Sequence, residues 1–323
     1  MRRFLSVLAV LMAAATGAHA QAQSWPNHPV RVIVPFPASG ATDLVARVVT
    51  QRVGQELGQQ FIVDNKPGAG GTIGAAEAAK AVADGYTLLL TTSSTHAISP
   101  HLLPRLAYDA RKDFTPVAHV ADAPSVLLVT NSLPAKSVAE LIALAKAKPG
   151  QLNYATSGNG TIVHLNTAAF AAQAGIEMTH VPYKGTALAI PDLVTGQVHV
   201  LFDSLPTGMP HVKSGRLRAL AVTSAKRSAL APELPTLAES GLPGFSSVTW
   251  FGVYLPAGAP PALVERVHKA FTKAMQSPEV IDSLAKLGVE PAAPSTPAQF
   301  NAMVQADSAR WANVIKQHKI TLE

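Results

Sequence analysis

Between residues 30 and 91, short β-rich runs alternate with helical ones, and that order leaves few folds open to the chain. Val30–Val34 reads as a strand, Asp43–Leu57 as a helix and Phe61–Asn65 as a strand. Thr72–Ala81 then reads as a helix and Tyr86–Thr91 as a third strand. A βαβαβ order predicts a parallel sheet covered by helices. Right-handed crossovers place the loops after Val34 and Thr91 along one edge of that sheet, where ligands of open α/β sheets gather.

The pattern then repeats. Val117–Thr130 reads as a long or broken strand with Pro124 inside it. Val138–Ala147, Thr161–Ala174 and Thr186–Thr195 read as helices, with Leu152–Ala155, Thr179–Val181, Val198–Phe202 and Leu217–Thr223 as strands. Ser246–Leu255 is a second β-rich crossing. Leu263–Met275, Pro278–Lys286 and Pro297–His318 read as three closing helices. The economical arrangement has two lobes. One is made from residues 21–122 and 249–323, and the other, residues 123–248, is inserted into it. Roughly 300 residues exceed one ordinary core, which agrees with that division.

The first twenty residues read as an export signal. Met1-Arg2-Arg3 is basic, Phe4–Ala15 is apolar, and Ala18-His19-Ala20 fits small-x-small cleavage near Ala20. A soluble protein of the periplasm, acting as a monomer, is the expected product. Losing Arg2 and Arg3 lowers the formal charge from +6 to +4, and no basic block with interleaved aromatics follows, so nucleic acid is not an expected partner. The chain has no cysteine, which excludes disulfides and thiolate metal sites. His96 and His101, with Pro100 between them, do not make a metal pair, and there is no HExxH. Neither a metal nor a cofactor is expected.

Two stretches carry the candidate chemistry. In VIVPFPASGATDLVA (Val32–Ala46) a strand breaks at Pro35 and Pro37 and opens a helix through Phe36, Ala38, Ser39, Gly40, Ala41, Thr42 and Asp43. A strand running through small residues into a helix start presents free backbone N–H groups to an anion. The second copy is LNYATSGNGTIVHLNTAAF (Leu152–Phe170), where Ser157, Gly158, Asn159, Gly160 and Thr161 supply amides and hydroxyls. His164, three residues past Thr161, faces either this mouth or the core. At other strand ends stand Ser93 and His96, then Tyr183, Lys184 and Gly185, then Asp203. Lys184 is the one cation among these loops and therefore the candidate charge partner. Lys66–Thr72 is glycine-rich but lacks the Gly-Lys-Ser/Thr of a phosphate loop, so it reads as a structural turn before a helix. No GxSxG elbow exists. A serine hydrolase built from Ser157, His164 and Asp203 is the enzymatic alternative.

These residues resemble the Bug family of periplasmic solute-binding proteins, which serve tripartite tricarboxylate transporters. The likeness is carried by PFPASGATDLVAR (Pro35–Arg47), DNKPGAGGTIGAAEAAK with DGYTLL (Asp64–Leu89), and LNYATSGNGTIVHL (Leu152–Leu165). HVPYKGTALAIPDLVTGQVHVLFDSLP (His180–Pro206), RLRALAVTSAKRS (Arg216–Ser228), PTLAESGLPGF (Pro235–Phe245) and WFGVYLPAGAP (Trp250–Pro260) continue it. The resemblance implies an α/β, two-lobed periplasmic-binding-protein fold of type II. Two helix-flanked sheets are joined by two crossover strands that act as a hinge. It also implies capture of a small carboxylate and delivery to membrane transporter subunits; a sensory role toward a membrane receptor kinase is the alternative. The ligand would be a dicarboxylate, an acidic amino acid or an aromatic acid. Main-chain groups of Phe36–Thr42 with ordered water would hold its carboxylate, facing Ser157–Thr161, His164, the Tyr183–Thr186 loop and Asp203. Ser39-Gly40 departs from the two glycines common at that point of the family loop.

Overall fold

A computed structural model describes residues 25–321. The expected export signal lies outside the described residues. Five strands open the molecule's first sheet. β1 (Val30–Val34) pairs in parallel with β2 (Phe61–Asn65) and β3 (Thr87–Thr92). β9 (Val248–Pro256) runs antiparallel between β3 and β4 (Phe114–Thr130). The interior strands read as nearly unbroken apolar runs because both faces are covered. Val32 and Val34 of β1 pack with Val45, Val49 and Val53 of α1 (Ala41–Leu57), while Ile33 between them faces Ala75 and Ala78 of α2 (Thr72–Ala79). That is the two-residue alternation of a strand buried on both sides.

The second sheet grows from the far half of β4. Phe114–Pro124 pair with β9, and Ser125–Thr130 then lie between β7 (Val200–Ser204) and β8 (Leu217–Val222). β5 (Asn153–Thr156) continues in parallel from β7, and β6 (Thr179–Pro182) from β5. Pro124 sits at the switch of partners, opposite Val248 at the start of β9, where a missing N–H costs the ladder least. The return crossing is tied at the same level. Thr223 N–H donates to Ser125 O (2.9 Å), the Thr223 hydroxyl donates to Ser247 O (2.7 Å), and Ser125 N–H donates to Thr223 Oγ1 (2.9 Å). So β4 and the start of β9 run between two helix-flanked sheets, as the sequence led one to expect.

The second sheet is covered by α4 (Val138–Ala147), α5 (Ile162–Ala174), α6 (Thr186–Thr195) and α7 (Leu205–Lys213). α8 (Pro261–Met275), α9 (Pro278–Leu287) and α10 (Pro297–Gln317) return to the first sheet. Phe300 and Trp311 of α10 are fully buried in a core shared with Tyr254. Two features differ from the sequence reading. α7 was not expected, because LPTGMPHVK holds two prolines and a glycine. Its Pro206 lies in the first helical turn, where proline is well suited. Residues 93–96, expected as a loop after the third strand, enter a single wide turn, Ser94–Ile98, that folds them inward and runs into the short α3 (Ser99–Leu102). Among the described residues no helix is long and apolar enough to cross a membrane.

Candidate ligand-binding cleft

Four strand ends feed four helix starts around one point. β1 leads to Gly40, the N-cap of α1; β5 leads to Thr161, the N-cap of α5. β6 leads to Gly185 before α6, and β7 to Ser204 before α7. The first turns of all four line a single cavity of about 70 Å³, through Ala41 and Thr42, Ile162 and Val163, Thr186 and Ala187, and Thr207. First-turn N–H groups have no partner within their own helix, and each helix end carries roughly half a positive charge. Among the described residues no lysine or arginine lines the cavity. Its positive field is therefore built from peptide dipoles and hydroxyls.

The loop that starts α1 is held by its own side chains. Ser39 has φ +64°, and its N–H donates to Asp43 Oδ2 (2.8 Å). Arg47 donates to the same oxygen (3.0 Å), and Asn65 donates to Phe36 O (3.0 Å). Burial alone would raise the Asp43 pKa, but Arg47, the Ser39 amide and Asn65 together outweigh it and hold the carboxyl below its ordinary value. The loop that starts α5 is tied in the same manner. Ser157 Oγ donates to Thr161 Oγ1 (3.0 Å), Thr161 Oγ1 donates to Gly158 O (2.8 Å), and Gly158 has φ +124°.

The two lobes touch across the cleft. Ile162 N–H, in the first turn of α5 beside the second sheet, donates to Ser94 Oγ in the turn after β3 of the first (3.1 Å). A Cβ placed on Gly70 would come within 2.6 Å of Asn159 O, and one on Gly185 within 2.8 Å of Pro37 Cγ. This is a closed arrangement. Outside Phe36, Pro37 and Ser157, which wall both spaces, lies a second opening of about 390 Å³. Gly68–Gly71 form one side of it, and Gly158, Asn159, Tyr183 and Lys184 the other.

The structure thus brings Phe36, Gly40, Ala41, Thr42, Ser157, Gly185 and Asp203 to the inner cavity, and Gly158, Asn159, Tyr183 and Lys184 to the outer opening. The other sequence candidates line neither. Ala38 and Ser39 are exposed on the turn, and Asp43 is committed to Ser39 and Arg47. Ser93 is buried, and His96 stacks on Tyr254 (4.2 Å) in an aromatic box with Phe114, where burial drives its pKa down to about 3. Thr161 caps α5. Gly160 N–H donates to Nδ1 of His164 (3.3 Å), whose ring stacks on His180 (4.4 Å) beside a different cavity. Burial, then the neighbouring His180, pushes the His164 pKa down to about 4.

Sequence reasoning overlooked Thr207, Thr249 and Phe251, which also line the inner cavity. Thr207 stands three residues past Ser204, a spacing that marks a helix start; Thr249 and Phe251 on β9 carry no local signal. Gly68–Gly71, read as a structural turn, also wall the outer opening.

Asp203 is the one carboxyl in the inner cavity, 2 % exposed. Its Oδ1 accepts from Ser204 N–H (2.9 Å), while Oδ2 has no hydrogen-bond partner. Burial pushes its pKa up to about 6, and Thr207, Thr186 and the Ser204 amide offset only part of that rise. The Thr207 hydroxyl donates to Ser204 O instead (3.2 Å). The hydrolase alternative needs Ser157, His164 and Asp203 in one chain of hydrogen bonds. None of the three bonds another: Ser157 is tied to Thr161, His164 Nδ1 to Gly160, and Asp203 Oδ1 to Ser204. Among the described residues no group of three potential metal ligands comes together.

Residues 45–320 match the family model described as the tripartite tricarboxylate transporter family receptor. The chain belongs to that family. It is 38% identical to Protein BugT of Bordetella pertussis, over 98% of each chain. The solved structure described as R. palustris Rpa4515 with adipate is 39% identical, with a TM-score of 0.89, covering 92% of this chain and 99% of that one. MatC (Rpa3494) from Rhodopseudomonas palustris with bound malate is 33% identical, with a TM-score of 0.86, covering 90% and 100%. The family, its Bug members and the periplasmic-binding-protein fold are those the sequence resemblance implied, and its members are periplasmic binding proteins.

Proposed function

We propose that this protein is exported to the periplasm, captures a small carboxylated solute between its lobes and delivers it to a tripartite tricarboxylate-type membrane transporter. The observation that carries the reading is the convergence of four helix N-termini, one from the first sheet and three from the second, on a cavity without a basic side chain. A carboxylate there is held by amides and hydroxyls contributed from both lobes, so it stabilises the closed arrangement over an open one. The inner cavity of about 70 Å³ suits the acid group itself. The remainder of the molecule extends past Phe36 and Pro37 into the outer opening, toward Lys184. Relatives solved with adipate and with malate support a dicarboxylate as ligand. Lobe one comprises residues 21–122 and 249–323, lobe two residues 123–248, and the ties among Ser125, Thr223 and Ser247 are the hinge.

The test is a thermal-shift and calorimetric screen with adipate, malate, glutamate and benzoate. A ligand present at 100 times its dissociation constant stabilises the folded protein by about 2.7 kcal/mol, which raises the melting temperature by several degrees. Neutral analogues such as adipamide are expected to give no shift. A set of acids that neither shifts melting nor releases heat would end the reading.

A further inference from the structure

The inner cavity holds a carboxyl group as well as the four helix ends, and the two have conflicting preferences. Asp203 is 2 % exposed and lines the same cavity as the first turns of α1, α5, α6 and α7; its Oδ2 makes no hydrogen bond of good geometry, although the Thr207 and Thr186 hydroxyls stand close enough to oppose part of the rise in its pKa. A carboxylate ligand placed among those turns brings a second negative charge beside it and removes what solvent remains. Two carboxyls in one dry site do not both ionise, so one must hold a proton. The ligand acid gains the dipoles and free amides when charged, which leaves Asp203 as the group to be neutral.

We infer that Asp203 engages the ligand as a neutral acid, donating a hydrogen bond from Oδ2 to the bound carboxylate, so that each capture takes up one proton from solvent. The inference rests on carboxylate capture in this cavity and adds a binding role and a regulation to it. In balance, an ionised Asp203, the one ionised ligand carboxylate that enters this cavity and one proton leave a single negative charge on the pair of carboxyls; a second carboxylate of the ligand keeps its own charge outside. No covalent bond forms or breaks. Once protonated, the unsatisfied acceptor at Oδ2 becomes a donor aimed at an anion. The hydrogen bond thereby discriminates in favour of carboxylates and against an ammonium group in the same position, which has no use for a neutral acid.

No other titratable group competes for this role at the cavity. On neighbouring elements, Asp43 of α1 is paired with Arg47, and His96 is boxed by Tyr254 and Phe114. On α5, His164 is stacked on His180; on α6, Asp192 accepts from the Tyr183 hydroxyl (2.5 Å). His211 of α7 bonds Arg216 at the far end of that helix, and His119 and Asp122 of β4 bond each other. None of these lines the inner cavity.

Free Asp203 already sits near the middle of the accessible range, with its pKa pushed up to about 6 by burial. Binding that requires the proton then weakens about tenfold for each pH unit above that value, roughly 50-fold between pH 6 and pH 8. Calorimetry with adipate, malate, glutamate and benzoate, run at both pH values in buffers of different ionisation heat, reads affinity and proton uptake together. The expected result is that weakening, with about one proton taken up per ligand at pH 8. Asp203→Asn keeps a donor that does not titrate, so its affinity should be flat from pH 6 to pH 8. Tight wild-type binding that is independent of pH and takes up no proton would overturn the inference and leave carboxylate capture standing. Affinity for glutamate alone that rises with pH and vanishes in Asp203→Asn would overturn it in favour of an ionised Asp203 paired with an ammonium. If none of the acids binds at pH 6, the capture reading falls and this inference with it.

Discussion

Gly70→Ala is expected to leave a folded protein that binds its carboxylate about tenfold to a hundredfold more weakly. Gly70 stands at φ +66° in the short turn Ala69–Gly71, and a Cβ there would meet Asn159 O of the opposite lobe at 2.6 Å. That is closer than a carbon and a carbonyl oxygen approach, and the obstacle is backbone rather than a side chain that can swing aside. Overpacking of this kind costs about 1–3 kcal/mol, charged here only to the closed form because the open form separates the two loops. The left-handed backbone adds a cost of about 1 kcal/mol in either form. Gly58→Ala is the matching control. Gly58 has the same φ of +66°, ends α1, and a Cβ on it meets nothing within 4 Å. Both variants should melt lower by a similar margin, and only Gly70→Ala should lose affinity in calorimetry. Equal affinity in the two would mean that the contact between Gly70 and Asn159 plays no part in capture.

The contrast between those two glycines also marks what the sequence made legible. Secondary structure was readable wherever both faces of an element are buried, since short β-branched runs such as Val30–Val34, interrupted only by Arg31, mark a strand. It was unreadable where the chain's local chemistry argues against its context: α7 begins with Leu205-Pro206 and carries Gly208 and Pro210, and burial of Leu205 and Met209 in the core favours the helix over those residues' own preference. The two strand-to-helix mouths were recognisable because small residues before an apolar period have a local signature. Their convergence with α6 and α7 was not, because it follows from sheet order, with β7 seated between β4 and β5. His96 and His164 show the limit of reasoning from strand ends. Position along the chain brings both near the cleft edge, but the wide turn at Ser94–Ile98 and the first turn of α5 rotate them into stacks with Tyr254 and His180. Gly58 and Gly70 share a backbone angle, and only the fold distinguishes a helix end from a point of contact between lobes.

Asp203→Asn is expected to stabilise the ligand-free protein at neutral and alkaline pH and to leave it unchanged near pH 4. The sign follows from where the proton sits. Burial raises the Asp203 pKa from 3.8 to about 6 in the folded state, so between those values the folded protein binds more protons than the unfolded one. Stability falls as pH climbs through that window and is constant above it. At about 1.4 kcal/mol per unit the loss is roughly 3 kcal/mol, since the ionised carboxyl is desolvated with one oxygen unpaired. An asparagine in the same place does not ionise, so the variant escapes the whole loss at pH 8. Urea unfolding at pH 4 and pH 8 measures it directly: the wild type should weaken between the two values by roughly 3 kcal/mol more than the variant. Equal pH dependence in the two proteins would show that Asp203 stays ionised at no cost, held by the helix ends themselves. A penalty confined to the ligand-free protein has a functional consequence. Burial that raises the Asp203 pKa from 3.8 to about 6 also makes the proton required by capture cheaper at pH 8, by the same roughly 3 kcal/mol that it costs the empty cleft.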